Sequence, residues 1–271
     1  MYSVVILTLN EEAALPACLA SLVGCPDLVV LDSGSTDGTA ALAAAAGARV
    51  FTRAFDTFAG QRNYAQRHLP FRHPWVLHLD ADERLTPELH AECLAATGRT
   101  DVDGFRIAPR MIFEGGWIAH CTDYPAYQAR LVRAPGFEFI QVGHGQREAP
   151  AMRMANLRSG YLHDLSVYGQ AAWLTKHRGY ARAEARAVLA AAAVSFRPLF
   201  SADPLERRRA LKRASFLLPL RPLARFGYQY LLRRGFLDGR RGLRYCLLLA
   251  RYESFIADEV RRLRREGRPW H

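Results

Sequence analysis

The first hundred residues alternate between two hydrophobic patterns. "YSVVILTL" (2–9), "DLVVLDS" (27–33), "ARVFT" (48–52) and "WVLHLD" (75–80) are short, nearly continuous apolar runs rich in β-branched residues. Strands covered on both faces have this texture. Between them the apolar spacing lengthens to three and four: Leu15, Leu19 and Leu22 predict one helix, and the alanine-rich stretch 36–48, closed by Gly47, a second. Thr86 followed by Pro87 predicts the N-cap and first position of a helix reaching Leu94. Such alternation predicts an α/β fold, a Rossmann-like, mostly parallel sheet covered by helices.

From 103 to about 160 the pattern turns to strand and loop, with "GFRIAP" and "QARLVR" as strands. From about 165 onward it is helical. Residues 169–193 predict a long helix, and 243–264 place Leu248, Tyr252, Phe255, Ile256 and Leu263 on one stripe. The expected division is a catalytic domain over 1–165 and a helical, basic region over 166–271. No uninterrupted apolar run reaches the roughly 18 residues a membrane span needs. The best candidate, 215–232, is broken by Pro219, Pro222 and two arginines.

Charge sharpens the division. The net charge is +11, from 37 Lys+Arg and 26 Asp+Glu. Residues 1–199 balance at 19 of each sign, whereas the last 72 residues hold 18 basic and 7 acidic groups. The whole excess lies in the helical region, which predicts a surface facing an anionic partner: membrane lipid, with a peripheral position on the inner face of the cell membrane. Nucleic acid is not expected, since no binding motif accompanies the charge. The five cysteines are scattered and odd in number, which predicts free thiols in a reducing cytoplasm. The opening "MYSVVILTLNEE" lacks a basic segment before its short apolar run and is read as a strand, without export.

The candidate chemistry lies at the strand ends. Thr8, Asn10 and Glu11 follow the first strand, Asp32, Ser35 and Asp37 the second, and Asp80, Asp82 and Glu83 the fourth. Parallel strands would bring these clusters to one edge, the carboxyl edge where open sheets bind ligands. The first strand has no G-x-G-x-x-G after it and the chain no P-loop, which sets aside dinucleotide oxidoreductases and P-loop NTPases. D-x-D at a strand end suits a hard cation such as Mg²⁺ or Mn²⁺ that keeps positions open for phosphate oxygens. In an extended chain Asp80 and Asp82 would point the same way.

"VVILTLNEEAALPACLASL", "VVLDSGSTDGT", "FAGQRNYA" and "WVLHLDADERLTPEL" together resemble inverting family-two glycosyltransferases of the GT-A fold, closest to the lipopolysaccharide-core glucosyltransferase subgroup. The resemblance covers roughly residues 1–135 and extends loosely to "GFLDGRRGL" (235–243). It implies transfer of a hexose from a nucleotide-diphosphate sugar, expected to be UDP-linked, with Mg²⁺ or Mn²⁺, onto a glycan or glycolipid acceptor of envelope polysaccharide. It implies that Thr8, Asn10 and Glu11 line the nucleotide pocket, that Asp32 reads the base, and that Ser35 and Asp37 support that loop. Gln61, Arg62 and Asn63 would sit over the donor, Asp80 would face the ribose or sugar, and Asp82 would bind the metal. Arg130 would meet donor or acceptor, or be a salt bridge at a strand edge. His163, with Asp164, would contact the metal or diphosphate, or be a structural histidine.

Inversion needs a base for the acceptor hydroxyl. The resemblance implies an acid near the end of the α/β domain, in a Val-His-Glu-like motif; here "VGHGQREAP" holds His144 and Glu148 at a different spacing, which makes Glu148 the first candidate and Asp123 in "HCTDYPAYQARLVR" the second. Glu148 could equally be a surface acid paired with Arg147. Sugar-phosphate nucleotidyl transfer is the competing reaction, but it calls for a glycine-rich basic loop near the N-terminus, which is absent. A non-catalytic basic membrane- or nucleic-acid-binding protein would leave the acids without a role.

Overall fold

The computed structural model describes residues 1–142, 145–190, 201, 207, 210 and 220–266. The chain forms two compact units: Met1–Ile112 with Asp123–Val167, and Phe113–Thr122 with Tyr168–His271. The sequence places one break, near 165; the structure adds an excursion of 113–122 into the second unit.

The first unit begins with β1 (Ser3–Thr8), α1 (Leu15–Ala20), β2 (Leu28–Asp32), α2 (Thr39–Ala45), β3 (Arg49–Thr52), α3 (Phe58–His68) and β4 (Trp75–Asp80). It continues with β5 (Glu83–Arg84), α4 (Pro87–Ala96), β6 (Gly104–Ile107) and β7 (Arg110–Phe113), whose last residue already belongs to the second unit. The second unit then contributes β8 (Gly116–Trp117) before the first resumes with β9 (Gln128–Arg133), β10 (Phe139–Val142), β11 (Gly145–Glu148), β12 (Met154–Asn156) and β13 (Leu162–Asp164).

Seven strands form the main sheet in the order β12-β6-β9-β4-β1-β2-β3. β1 is parallel to both β2 and β4, and β2 to β3; β9 runs antiparallel between β4 and β6. The apolar strand runs are explained by burial on both faces. On one face Val4, Ile6, Leu77 and Leu79 pack with Leu15, Cys18, Leu89 and Cys93 of α1 and α4. On the other, Val5, Val29, Leu31 and Val76 pack with Ala65 of α3 and Leu69 after it. Thr86 caps α4 as its sequence predicts, accepting a hydrogen bond from Leu89 N at 3.1 Å. Gly47 ends the α2 segment at φ +80°, a conformation that suits glycine.

α3 has no counterpart in the sequence reading. Its buried residues include Gln61, Arg62 and Gln66, so it shows little apolar periodicity. Thr57 caps it, accepting from Gly60 N at 2.9 Å.

The second unit is helical: α5 (Gly169–Ala190), α6 (Arg221–Gly227), a π turn (Tyr228–Leu232), a 3-10 turn (Gly235–Asp238) and α7 (Gly239–Glu266). α5 and α6 both pack on α7, which buries Leu248, Ile256 and Leu263 of the expected stripe and Cys246 outside it. The excursion is tied in by Asp238, which accepts from the backbone N–H groups of Ala119, His120 and Cys121 at 2.9–3.1 Å. Gln229 donates to Cys121 O at 2.8 Å. The glycines of "GFLDGRRGL" allow close approach, since a Cβ on Gly242 would lie 2.1 Å from Gly235 O.

Candidate active site

The register of the sheet brings three strand ends together: Thr8 lies opposite Asp32, and Leu7 opposite Asp80. The loops after β1 and β2 are laced to each other. Thr8 Oγ1 donates to Asp32 Oδ1 at 2.8 Å, and Asp32 also accepts from Gly34 N and from the N–H and hydroxyl of Ser35. Burial works against the Asp32 charge, but these donors win and hold its carboxyl below the usual range. Asn10, at φ 56°, donates its N–H to Ser35 Oγ at 2.8 Å and accepts from Thr36 N at 2.8 Å. Glu11 N donates to Thr39 Oγ1 at 2.8 Å, and Asp37 accepts from Thr39 N and Glu12 N.

β4 ends at Asp80, and Ala81–Asp82 form a turn before Glu83 enters β5. The turn corrects the extended-chain expectation for Asp80 and Asp82, whose side chains have different partners. Asp80 accepts from Arg62 Nη2 at 2.7 Å and from Arg130 Nη2 at 3.1 Å. Asp82 Oδ2 lies 3.3 Å from His163 Nε2. Glu83 is fully buried, accepts from Arg130 Nη2 at 2.5 Å, and closes the turn by accepting from Asp80 N at 2.9 Å.

The positive charge among these acids therefore comes first from the chain itself. Arg62 and Arg130 are 0% and 2% exposed. Burial works against the Asp80 charge, yet the two guanidiniums outweigh it and keep its carboxyl well below the usual range. Burial pushes Glu83 the other way, up to about 7, with Arg130 opposing the rise and Asp80 adding to it. Burial disfavours the charged His163 ring, but the bond to Asp82 and the neighbouring carboxylates raise it to about 9.

Local structure explains how distant residues arrive here. β13 pairs antiparallel with β5, so His163 sits opposite Glu83, beside Asp82. Between β6 and β9 the register slips from Phe105↔Leu131 to Arg106↔Ala129, leaving Arg130 without an opposite residue. A bulge of this kind re-aims a side chain. Arg130 then reaches Asp80 and Glu83, and is steadied by Tyr161 Oη at 3.2 Å and Gln128 Oε1 at 3.1 Å.

Successive residues of α3 point three ways, as steps around a helix must. Gln61 is buried and bonds Ser33 Oγ, Arg53 O and Ala54 O. Arg62 holds Asp80. Asn63 exchanges hydrogen bonds with the backbone of Phe139, fixing the β10–β11 hairpin.

The two candidate bases are not joined to this cluster by any hydrogen bond or ion pair among the described residues. Glu148 pairs with Arg106, whose Nε donates at 2.7 Å, and not with Arg147. Asp123 is exposed. His144 lies outside the described residues. The sequence reading assigned no role to Glu83, Tyr161 or Gln128; only Glu83 carried a signal, in "LDADER".

Residues 3–138 match the family model described as Glycosyl transferase family 2. A lipopolysaccharide core biosynthesis glycosyltransferase of Rhizobium meliloti is 42% identical over 116 residues, 40% of this chain and 42% of that protein. An uncharacterized glycosyltransferase of Rickettsia typhi is 36% identical over 91 residues, 33% of this chain and 30% of that one. The matched stretches thus span less than half of these relatives. Residues 1–349 of S. aureus TarS in complex with UDP superpose with TM-score 0.48 and 17% identity, over 100% of this chain and 93% of that one. Mycobacterium tuberculosis glucosyl-3-phosphoglycerate synthase in complex with Mn²⁺, UDP-glucose and phosphoglyceric acid gives TM-score 0.33 and 27% identity, over 43% and 45%.

Proposed function

Since the chain belongs to glycosyltransferase family 2, we propose that it moves a hexose, with inversion, from a UDP-sugar to a glycan or glycolipid acceptor of envelope polysaccharide. The reading includes a cytoplasmic site of action at the inner membrane face. The observation that carries it is the carboxyl edge of the sheet, where Asp80 is held ionised by two buried arginines and Asp82 stands beside His163.

The residues fit a divalent cation. Among the described residues no three acidic, histidine or cysteine side chains converge on a point. Asp82 Oδ2 and His163 Nε2, however, are 3.3 Å apart, near the ~3 Å between adjacent ligands of an octahedral ion with ~2.1 Å bonds. Mg²⁺ is commonly held by one or two carboxylates completed by phosphate oxygens and water, so Asp82 would be the first ligand, and His163 would have to give up its proton to join it. Such a cation would supply Lewis-acid stabilisation of the departing diphosphate. Asp80, with side-chain exposure of 32%, offers an ionised acceptor for a ribose or sugar hydroxyl. The acceptor's proton goes to a carboxylate on the face opposite the diphosphate. Glu148 is the first assignment and Asp123 the second.

Calorimetric titration of UDP and GDP, with and without Mn²⁺, tests the reading in wild type and Asp82→Asn. UDP binding that needs Mn²⁺ and weakens at least about tenfold in the variant is expected. Failure of both nucleotides to bind, or binding indifferent to both metal and substitution, overturns it. Glu148→Gln should retain UDP binding while kcat falls about a hundredfold or more; that outcome in Asp123→Asn alone reassigns the base.

A further inference from the structure

The segment 220–247 turns its hydrophobic side chains outward. Along α6 and the π turn, Leu220, Leu223, Tyr228, Leu231 and Leu232 are 63%, 64%, 44%, 61% and 76% exposed. Leu220, Leu223, Tyr228 and Leu231 fall close to helical spacing, so they form one stripe. The stripe is inverted relative to a core-facing helix, because the buried residue here is Gln229, whose amide serves Cys121 O. Phe236 and Leu237 of the 3-10 turn are also exposed, at 47% and 55%. Isolated exposed leucines are ordinary, but a continuous stripe of them marks a docking surface.

Charge indicates what docks there. The same 28 residues hold seven arginines and one acid, Asp238. The acid does not offset the arginines at the surface, since its side chain is 4% exposed and bonded to the 119–121 backbone. Arg234 and Arg240 are exposed, as are Arg241 and Arg244, although Arg244 pairs with Glu114 at 2.9 Å and Arg241 donates to Glu114 O at 3.0 Å. Beside the stripe lies a cavity of about 570 Å³ with Pro222, Leu223 and Leu247 on its apolar wall; its charged lining is Arg244, paired with Glu114, and Arg251. Exposed leucines and aromatics rimmed by arginine suit a bilayer interface, where acyl chains take the apolar groups and anionic headgroups the cations. Among the described residues no helix is long and apolar enough to cross a membrane.

We propose that residues 220–247 are a monotopic membrane-docking face that inserts the Leu223–Leu231 stripe into the headgroup region of an anionic bilayer, the arginines lying over the phosphates. The assignment rests on exposure and charge alone and is independent of the donor chemistry.

The test is cosedimentation of the full-length protein with vesicles of phosphatidylcholine alone and with phosphatidylglycerol added. Wild type should bind the anionic vesicles at least about tenfold better, and the preference should shrink as salt is raised. Leu223→Glu/Leu231→Glu should lose binding about tenfold or more with unchanged circular dichroism, because both side chains are exposed. Arg234→Glu/Arg240→Glu should abolish the preference for phosphatidylglycerol. Equal binding to both vesicle types, or double variants that bind like wild type, overturns the proposal. A dimer by light scattering without lipid that Leu223→Glu/Leu231→Glu converts to monomer also overturns it, and makes the face a contact between copies. UDP binding measured on the same variants keeps this outcome separate from that of the donor site.

Discussion

Arg62 and Arg130 both meet Asp80, yet their removal should cost different amounts. In Arg62→Met the lost contact is the 2.7 Å pair with Asp80. Asp80 keeps Arg130 at 3.1 Å, and 32% side-chain exposure lets water solvate it. The substitution also removes two buried nitrogens of Arg62, Nε and Nη1, that have no hydrogen-bond partner among the described residues. These gains offset much of the lost pair, leaving a cost of about 1 kcal/mol. In Arg130→Met the stranded group is Glu83, which is fully buried. Among the described residues it retains only Asp80 N and, at 3.8 Å, the His163 ring. Removing one partner of a buried pair costs roughly 3–5 kcal/mol, and the lower end applies because those two contacts persist and because Glu83, already raised by burial, can take up a proton. Native-state hydrogen exchange of the β1 and β4 amides reads this unit locally. Protection should fall about fivefold in Arg62→Met and roughly a hundredfold or more in Arg130→Met. Arg130→Lys should lie between, as an ammonium lacks the guanidinium fork. A cost in Arg62→Met equal to or above that in Arg130→Met would refute the reasoning.

Other substitutions probe separate parts of the first unit. Thr86→Ala removes the acceptor for Leu89 N and should destabilise by about 1–2 kcal/mol in urea denaturation, with Thr86→Ser close to wild type. Gly160→Ala would set a Cβ 2.4 Å from Ala108 O and should cost about 1–3 kcal/mol, whereas Gly136→Ala, with open space around it, should be near neutral in thermal melts. Asp27 is buried and accepts from Ser3 Oγ, Arg49 Nη2 and Arg72 N at 2.6, 2.7 and 2.8 Å. Burial opposes its charge, but these donors lower its carboxyl below the usual value. A lowered folded-state value stabilises above the unfolded value of about 3.9 and is lost as pH falls through the folded one. The Tm advantage of wild type over Asp27→Asn should therefore be constant near neutrality and close only below about pH 4.

The parts of the fold legible in the sequence are those written in local pattern. β1 to β4 announce themselves by continuous apolar runs, and α4 by Thr86 and Pro87. α3 was hidden because its inner face is made of Gln61, Arg62 and Gln66, which read as surface residues until their partners are known. The acid cluster was legible as chemistry but not as electrostatics. Its arginines come from 18 positions before and 50 positions beyond Asp80, and no local rule links them. The bulge that frees Arg130 is a mismatch between two strands, so neither strand carries it alone. His163 arrives through a three-residue strand, too short to show a period.

The lacing of the loops after β1 and β2 fixes when conformational entropy is given up. Asp32, Ser35, Asn10 and Asp37 already immobilise one another's backbones. A ligand landing on this edge meets a rigid template and has little loop disorder to quench, so the ordering cost is borne when the chain folds and not when the ligand arrives. One side chain can thus be exchanged for a new ligand only if its neighbour's loop is re-anchored too, which ties the evolution of recognition here to pairs of positions.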